Sequence, residues 1–300
     1  MDERAANVLA LLPGLREQWP DSGPGALREI RLRAGSPVQL IGEGGEWLSS
    51  GAVDEAWIAR AADALAAHSL YAREEELRQG YLSLEDGSRA GVCGCFTAER
   101  GRIGRMTAVR SLCIRLAREK KGCADQVMPR LYEAGRPLSV LILSPPGLGK
   151  TTLLRDVARQ FSLGTAWGRG VCVAVADERG ELSAGGRLDV GPRTDVMSGC
   201  PKAAAVAMMV RAMSPDVIAT DELGGGEGAA AVLEAMRCGV TMAATAHARD
   251  LDDAHARRAL RRLLEGGAFQ RIIVLGGGVG RVEGVYDGAG KRLCSGEDER

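Results

Sequence analysis

Aromatic side chains are scarce: Phe, Tyr and Trp make up 4% of the 300 residues. A groove that stacks successive nucleobases needs such rings together with positive charge. The 39 Lys and Arg are balanced by 39 Asp and Glu, for a formal net charge of zero. Nucleic acid is therefore an unexpected partner, and a whole-molecule attraction to anionic membranes is not indicated, with local basic patches left open. Long apolar runs are missing too, since none approaches the ~20 residues that cross a bilayer. Met1 to Arg4 lead into a charged, interrupted helix pattern and not into a signal peptide. The expected location is the cytoplasm, peripheral to a membrane through a partner. Close cysteine pairs are also lacking. Of eight Cys, only Cys93 and Cys95 lie near each other, and no His follows at ligand spacing. Zinc is not indicated, and runs such as V-C-V-A-V around Cys172 read as buried reduced thiols.

What is present changes character near Gly135-Arg-Pro137, which suggests a smaller α+β domain over 1–134 and an α/β domain over 135–300. In the first part, 27–33 alternates apolar and charged residues and 37–41 continues apolar after Gly35, the pattern of a hairpin. Residues 54–68 read as an Ala-rich helix. Short extended stretches flank E-D-G at 85–87, a hairpin turn signal. Arg110 to Lys121 reads as a helix or a strand with five basic residues. In the second part, apolar runs at 138–143, 170–176, 216–220, 240–245 and 270–275 alternate with helix patterns at 149–161, 202–213, 227–237 and 250–265. Such alternation predicts a parallel sheet with helices on both faces. No internal repeat is evident, and the polar residues from Ser295 read as a frayed end.

The chemistry sits at the turns after these strands. Ser144, Pro145, Pro146, Gly147, Leu148, Gly149, Lys150, Thr151 and Thr152 lie between the first strand and first helix. They match G-x-x-x-x-G-K-[ST], except that Ser144 replaces the first Gly. Small residues let backbone N–H groups close around phosphate, and the helix N-terminus adds its positive end. Lys150 would reach the β- and γ-phosphates of ATP, and the Thr151 hydroxyl would hold Mg²⁺. In V-I-A-T-D-E, an apolar strand ends in two acids. Asp221 would hold Mg²⁺ through water, and Glu222 would orient or deprotonate the attacking water. Asp177-Glu178 ends another strand, although acids also cap helices. His247, in T-A-T-A-H-A, stands where it could sense the γ-phosphate. An arginine acting on the transferred phosphoryl could be Arg105, Arg110, Arg115, Arg118, Arg193 or Arg237, and the residues alone do not choose. The basic run Arg257, Arg258, Arg261 and Arg262 follows Asp250, Asp252 and Asp253, an order that suits a solvated helix.

Several long segments resemble the stage III sporulation protein AA family of endospore-forming bacteria. They are D-E-R-G-E-L (177–182), D-V-G-P-R-T-D-V-M-S-G-C-P-K (189–202), M-V-R-A-M-S-P-D-V-I-A-T-D-E-L-G (209–224) and C-G-V-T-M-A-A-T-A-H-A (238–248). E-I-R-L-R-A-G-S-P (29–37), R-Q-G-Y-L-S-L (78–84) and R-A-G-V-C-G (89–94) agree in the first part. The resemblance implies kinship with the ATPases of type II and type IV secretion and of type IV pili. Those are RecA-like P-loop domains behind an N-terminal domain, assembled as hexameric rings. It places Asp177-Glu178 in an acidic box and His247 in a His box, and matches Arg211 and Asp216 to a lead-in before Asp221. It implies an ATPase that powers a membrane-embedded channel between mother cell and forespore from the mother-cell side. A RecA-like nucleic-acid translocase and a non-hydrolysing nucleotide-dependent scaffold are the alternatives.

Overall fold

The computed structural model describes residues 3–12, 14–15, 26–84, 86–99, 102–116, 119–184, 186–223 and 226–293. It divides into two compact units, Met1–Arg118 and Glu119–Arg300.

The first unit is one antiparallel sheet backed by helices. Its strands are β1 (Leu27–Arg33), β2 (Ser36–Gly42), β3 (Gly45–Val53), β4 (Tyr81–Ser83), β5 (Arg89–Glu99) and β6 (Arg102–Arg115), in the order β3-β2-β1-β6-β5-β4. The segment read as helix or strand after Arg110 is thus strand as far as Arg115. The period-two pattern decides which face is buried. Ile30, Leu32, Leu40, Ala90, Val92, Leu112 and Ile114 form one core with Ala5 and Leu9 of α1 (Glu3–Leu11) and Ile58, Ala61 and Leu65 of α2 (Glu55–Leu65). Asp54 starts α2 by accepting a hydrogen bond from the Trp57 N–H at 2.7 Å, as an N-cap should. A short helix, α3 (Glu74–Arg78), precedes β4. Of the E-D-G turn, Glu85 lies outside the described residues.

The second unit carries a seven-stranded sheet. Its strands are β7 (Val140–Leu143), β8 (Val173–Asp177), β9 (Thr194–Ser198), β10 (Val217–Thr220), β11 (Thr241–Ala246), β12 (Arg271–Leu275) and β13 (Val282–Asp287). The order is β9-β8-β10-β11-β7-β12-β13. Every neighbouring pair is parallel except β12 with β13. Alternate residues of the same strands enter two separate cores. Val140, Ile142, Val175 and Ala219 pack with Leu154, Val157 and Phe161 of α4 (Lys150–Leu163). Leu141, Leu143, Ala176, Ile218 and Ala244 pack on the opposite face. Their partners are α5 (Lys202–Met213), α6 (Gly226–Arg237), α7 (Leu251–Ala256) and α8 (Arg258–Glu265). Ala124, Val127, Met128, Leu131 and Tyr132 join the α4 core. The change of pattern at 135–137 therefore falls inside the second unit, whose first segment already packs beneath the sheet.

The five strands expected from the sequence pair in parallel throughout, and β13 is added antiparallel at one edge. Two expectations are corrected here. The helix pattern over 250–265 is two helices, because Arg257 is extended (φ −90°, ψ 115°). At the break, Arg261 donates to the freed His255 carbonyl at 2.6 Å, while Leu260, Leu263 and Leu264 turn into the core. Cys172 is exposed and not buried. The strand starts one residue later, and the Cys172 N–H donates to the Asp216 carboxylate at 2.9 Å. The residues from Ser295 lie outside the described residues.

Candidate nucleotide site

The parallel strands deliver their C-terminal ends to one edge, where ligands bind in open α/β sheets. The loop Ser144–Gly149 leaves β7 there and enters α4. Gly147 and Gly149 hold left-handed backbone, at φ 80° and 87°. A side chain at either position would be strained. Gly149 is the residue at the start of α4, so the loop presents the first free N–H groups of that helix. Gly280, in the β12–β13 connection, donates its N–H to the Leu148 carbonyl at 2.8 Å and braces the loop from outside. Ser144, the irregular position, is completely buried. Its hydroxyl donates to the Pro145 carbonyl at 2.8 Å, and its N–H donates to the Ala246 carbonyl at 3.3 Å. The hydroxyl is therefore satisfied locally. Lys150 is buried. That burial lowers its pKa, while the charges of Glu222, Glu181 and Asp221 pull it upward.

The acidic pair at 177–178 splits. Asp177 is fully buried, and its carboxylate accepts from the Leu182 N–H, the Ser183 N–H and the Ser183 hydroxyl at 2.8–3.1 Å. It thus caps the turn that follows β8. Glu178 is exposed on that turn. The acid there whose charge bears on both Lys150 and Asp221 is Glu181. The turn is also held from α4. Arg155, buried, donates to the carbonyls of Leu182 and Glu181, both at 2.7 Å.

Asp221 and Glu222 follow β10 directly. Asp221 is 2% exposed, and its Oδ2 is buried without a hydrogen-bond partner among the described residues. Burial pushes its pKa up to about 6, against the opposing charge of Lys202. An orphaned buried carboxylate oxygen suits a hydrated divalent cation. Glu222 has φ 42°, left-handed for a residue with a side chain. Such conformations cost of order 1–3 kcal/mol and persist only where surroundings enforce them. Here the Glu222 N–H donates to the Thr245 hydroxyl at 2.8 Å. Its carboxylate lies 2.8 Å from His247 Nε2 and accepts from Arg179 at 2.8 Å. Burial would raise the Glu222 pKa, but the His247 hydrogen bond and the charges of Arg179, His247 and Lys150 hold it below the usual value. It is ionised at neutral pH. His247 Nδ1 is buried and unpartnered among the described residues.

Glu222 and His247, which the sequence suggests independently, thus meet directly. Glu178 does not join them, and Asp216 lies at the opposite end of β10, bonded to Cys172. Among the candidate arginines, Arg105, Arg110, Arg115 and Arg237 pair with acids on their own unit, and Arg193 donates to the Ser162 carbonyl. Arg118 lies outside the described residues. Four contributors have no role in the sequence reading: Arg155 lies outside the family segments, and Arg179, Glu181 and Lys202 lie inside them without a chemical assignment. Lys202 opens α5, and its ammonium donates to the carbonyls of Asp221 and Glu222. A cation at a helix N-terminus opposes the dipole, which is the one sequence signal that an acceptor lies nearby.

Asp221 yields a prediction for the ligand-free protein. Its native pKa of about 6 stands above the unfolded value of 3.8. The native state therefore holds this proton more tightly, and the associated stability is lost as pH rises from about 4 through 6. At pH 7.5 Asp221→Asn should be more stable than the parent by up to roughly 3 kcal/mol. Thermal melts should show that gain shrinking to nothing by about pH 4.

The family model described as sporulation stage III, protein AA matches residues 9–293. Stage III sporulation protein AA of Bacillus subtilis (strain 168) is 37% identical over 301 residues, covering 98% of this chain and 95% of that protein. Among solved structures, the Legionella pneumophila ATPase DotB aligns over 90% of this chain and 74% of its own, with TM-score 0.55 and 13% identity. The pilus retraction motor PilT with bound ADP aligns over 89% and 77%, with TM-score 0.57 and 16% identity. These two likenesses show a shared RecA-like fold. Given the family match over nearly its whole length, the chain belongs to the sporulation stage III protein AA family.

Proposed function

We propose that this chain binds ATP with Mg²⁺ and hydrolyses it to ADP and phosphate. The observation that carries the reading is the cluster at the sheet edge. An ionised Glu222 meets His247 next to the phosphate loop, and Asp221 beside it has a buried oxygen in need of a partner. The residues from Ser144 to Thr152 would receive the phosphates through backbone N–H groups, and Lys150 would neutralise the β- and γ-phosphates. Thr151 and, through water, Asp221 would hold Mg²⁺, which supplies charge neutralisation to the phosphates when bound. Glu222 would accept a proton from the attacking water. His247 orients that carboxylate through its Nε2.

Family membership, with the likeness to a pilus retraction motor, supports a wider role. The chain would act as the cytoplasmic motor of a secretion-like channel between mother cell and forespore during endospore formation. Its partners would be further copies of itself in a hexameric ring and membrane-embedded channel components. No helix among the described residues is long and apolar enough to cross a membrane, so contact with the bilayer through partners fits the reading. Hydrolysis and particle size, measured with and without ATP on wild type and Glu222→Gln, test it. Turnover by wild type that Glu222→Gln loses, with assembly retained, is expected. A wild-type ring that binds ATP without turnover would favour a scaffold instead.

A further inference from the structure

We propose that Lys202 is a positioning residue for Glu222: it holds the left-handed turn that brings the carboxylate to His247. The inference rests on the ATPase reading above. In an extended continuation of β10, successive side chains would alternate across the sheet. Glu222 leaves that alternation at φ 42°. Leaving it turns the Asp221 and Glu222 carbonyls away from the strand ladder, and each then needs a donor. Lys202 supplies both: its ammonium donates to Asp221 O and, at 3.0 Å, to Glu222 O. It also lies 3.6 Å from Asp221 Oδ1, with its side chain only 11% exposed. Thr245 fixes the same turn from the other side through the Glu222 N–H, and the Leu223 N–H continues onto Thr245 O at 2.7 Å. The turn is thus gripped at both backbone polar groups of Glu222. Among the described residues, the hydrogen bonds and ion pair of the Lys202 ammonium all go to Asp221 and Glu222, and its two backbone bonds fix the turn that carries the Glu222 side chain.

Lys202→Met keeps the length of the stem and removes the donors, whereas Lys202→Arg keeps donors that can reach both carbonyls. Steady-state ATP hydrolysis, binding of a fluorescent ATP analogue and thermal midpoints are measured on the full chain. Lys202→Met should lower kcat on the order of 100-fold, the scale of a misplaced catalytic group. Its affinity for the analogue should stay within about threefold of wild type, and Lys202→Arg should recover most of kcat. Unchanged kcat in Lys202→Met, beside an active wild type, overturns the inference. So does a loss of analogue binding and midpoint that tracks the loss of kcat and is not rescued by Arg, which marks a merely structural lysine. A wild type without turnover overturns the ATPase reading instead.

Discussion

Glu222→Gln should reduce ATP turnover by about 10² to 10⁴-fold, the usual range for loss of a general base. That corresponds to about 2.7–5.5 kcal/mol of transition-state stabilisation. Binding of ATP should survive, because the substitution is nearly isosteric and leaves the loop from Ser144 to Thr152 untouched. The environment supports both halves of this expectation. The carboxylate is held ionised by His247, Arg179 and Lys150, so the wild-type side chain is ready to take a proton. A Gln side chain can still accept from Arg179 through its carbonyl oxygen and donate to the other tautomer of His247. The turn and its contacts would therefore remain. Single-turnover kinetics separate the two effects: bound ATP should persist uncleaved. Equal turnover in the variant would remove Glu222 from the chemistry.

Lys150→Ala should abolish hydrolysis through a different route, by weakening nucleotide binding itself. Two charge-assisted hydrogen bonds to phosphate are each worth about 1.5–3 kcal/mol. Their loss lowers affinity by roughly 10² to 10⁴-fold. The ligand-free fold should tolerate the change. Burial already disfavours the Lys150 ammonium, so its removal takes away an electrostatic cost along with some packing. Calorimetric titration with ATP and a thermal melt of the same sample distinguish the cases. Lost binding with a midpoint within a few degrees of wild type is expected. A variant that hydrolyses ATP as fast as wild type would refute the role assigned to the loop.

Much of the candidate site is legible in the amino-acid sequence, as are the elements with strong periodicity and clear punctuation. α5 begins at Lys202 because Pro201 presets the backbone before it. β7, β8, β10, β11 and β12 are apolar because both faces of a parallel sheet are covered. Two edge strands carry no such signal. Thr194–Ser198 has polar and exposed positions, as an edge allows, and Val282–Asp287 is interrupted by Gly284. The break at Arg257 follows from docking of Leu260, Leu263 and Leu264, a tertiary cause that helix periodicity cannot express. In the site, Lys150, Asp221, Glu222 and His247 are legible because their types and positions together announce phosphate chemistry. Arg155 is not, because it acts on backbone carbonyls, which leave no residue-type signature, and Lys202 shows only as a cation set against a helix dipole. Asp177 and Glu178 look alike in sequence, and only the turn after β8 decides which is buried.

That turn has a further consequence. Its buried cap on Asp177 and its two bonds from Arg155 tie a surface connection to the helix that starts at the phosphate loop. In native-state hydrogen exchange, the Leu182 and Ser183 amides should be protected to nearly the level of α4, far above ordinary loop amides. The turn and α4 should then open together as one cooperative unit, so that occupancy of the loop would be felt at Arg179 without any rearrangement inside the turn.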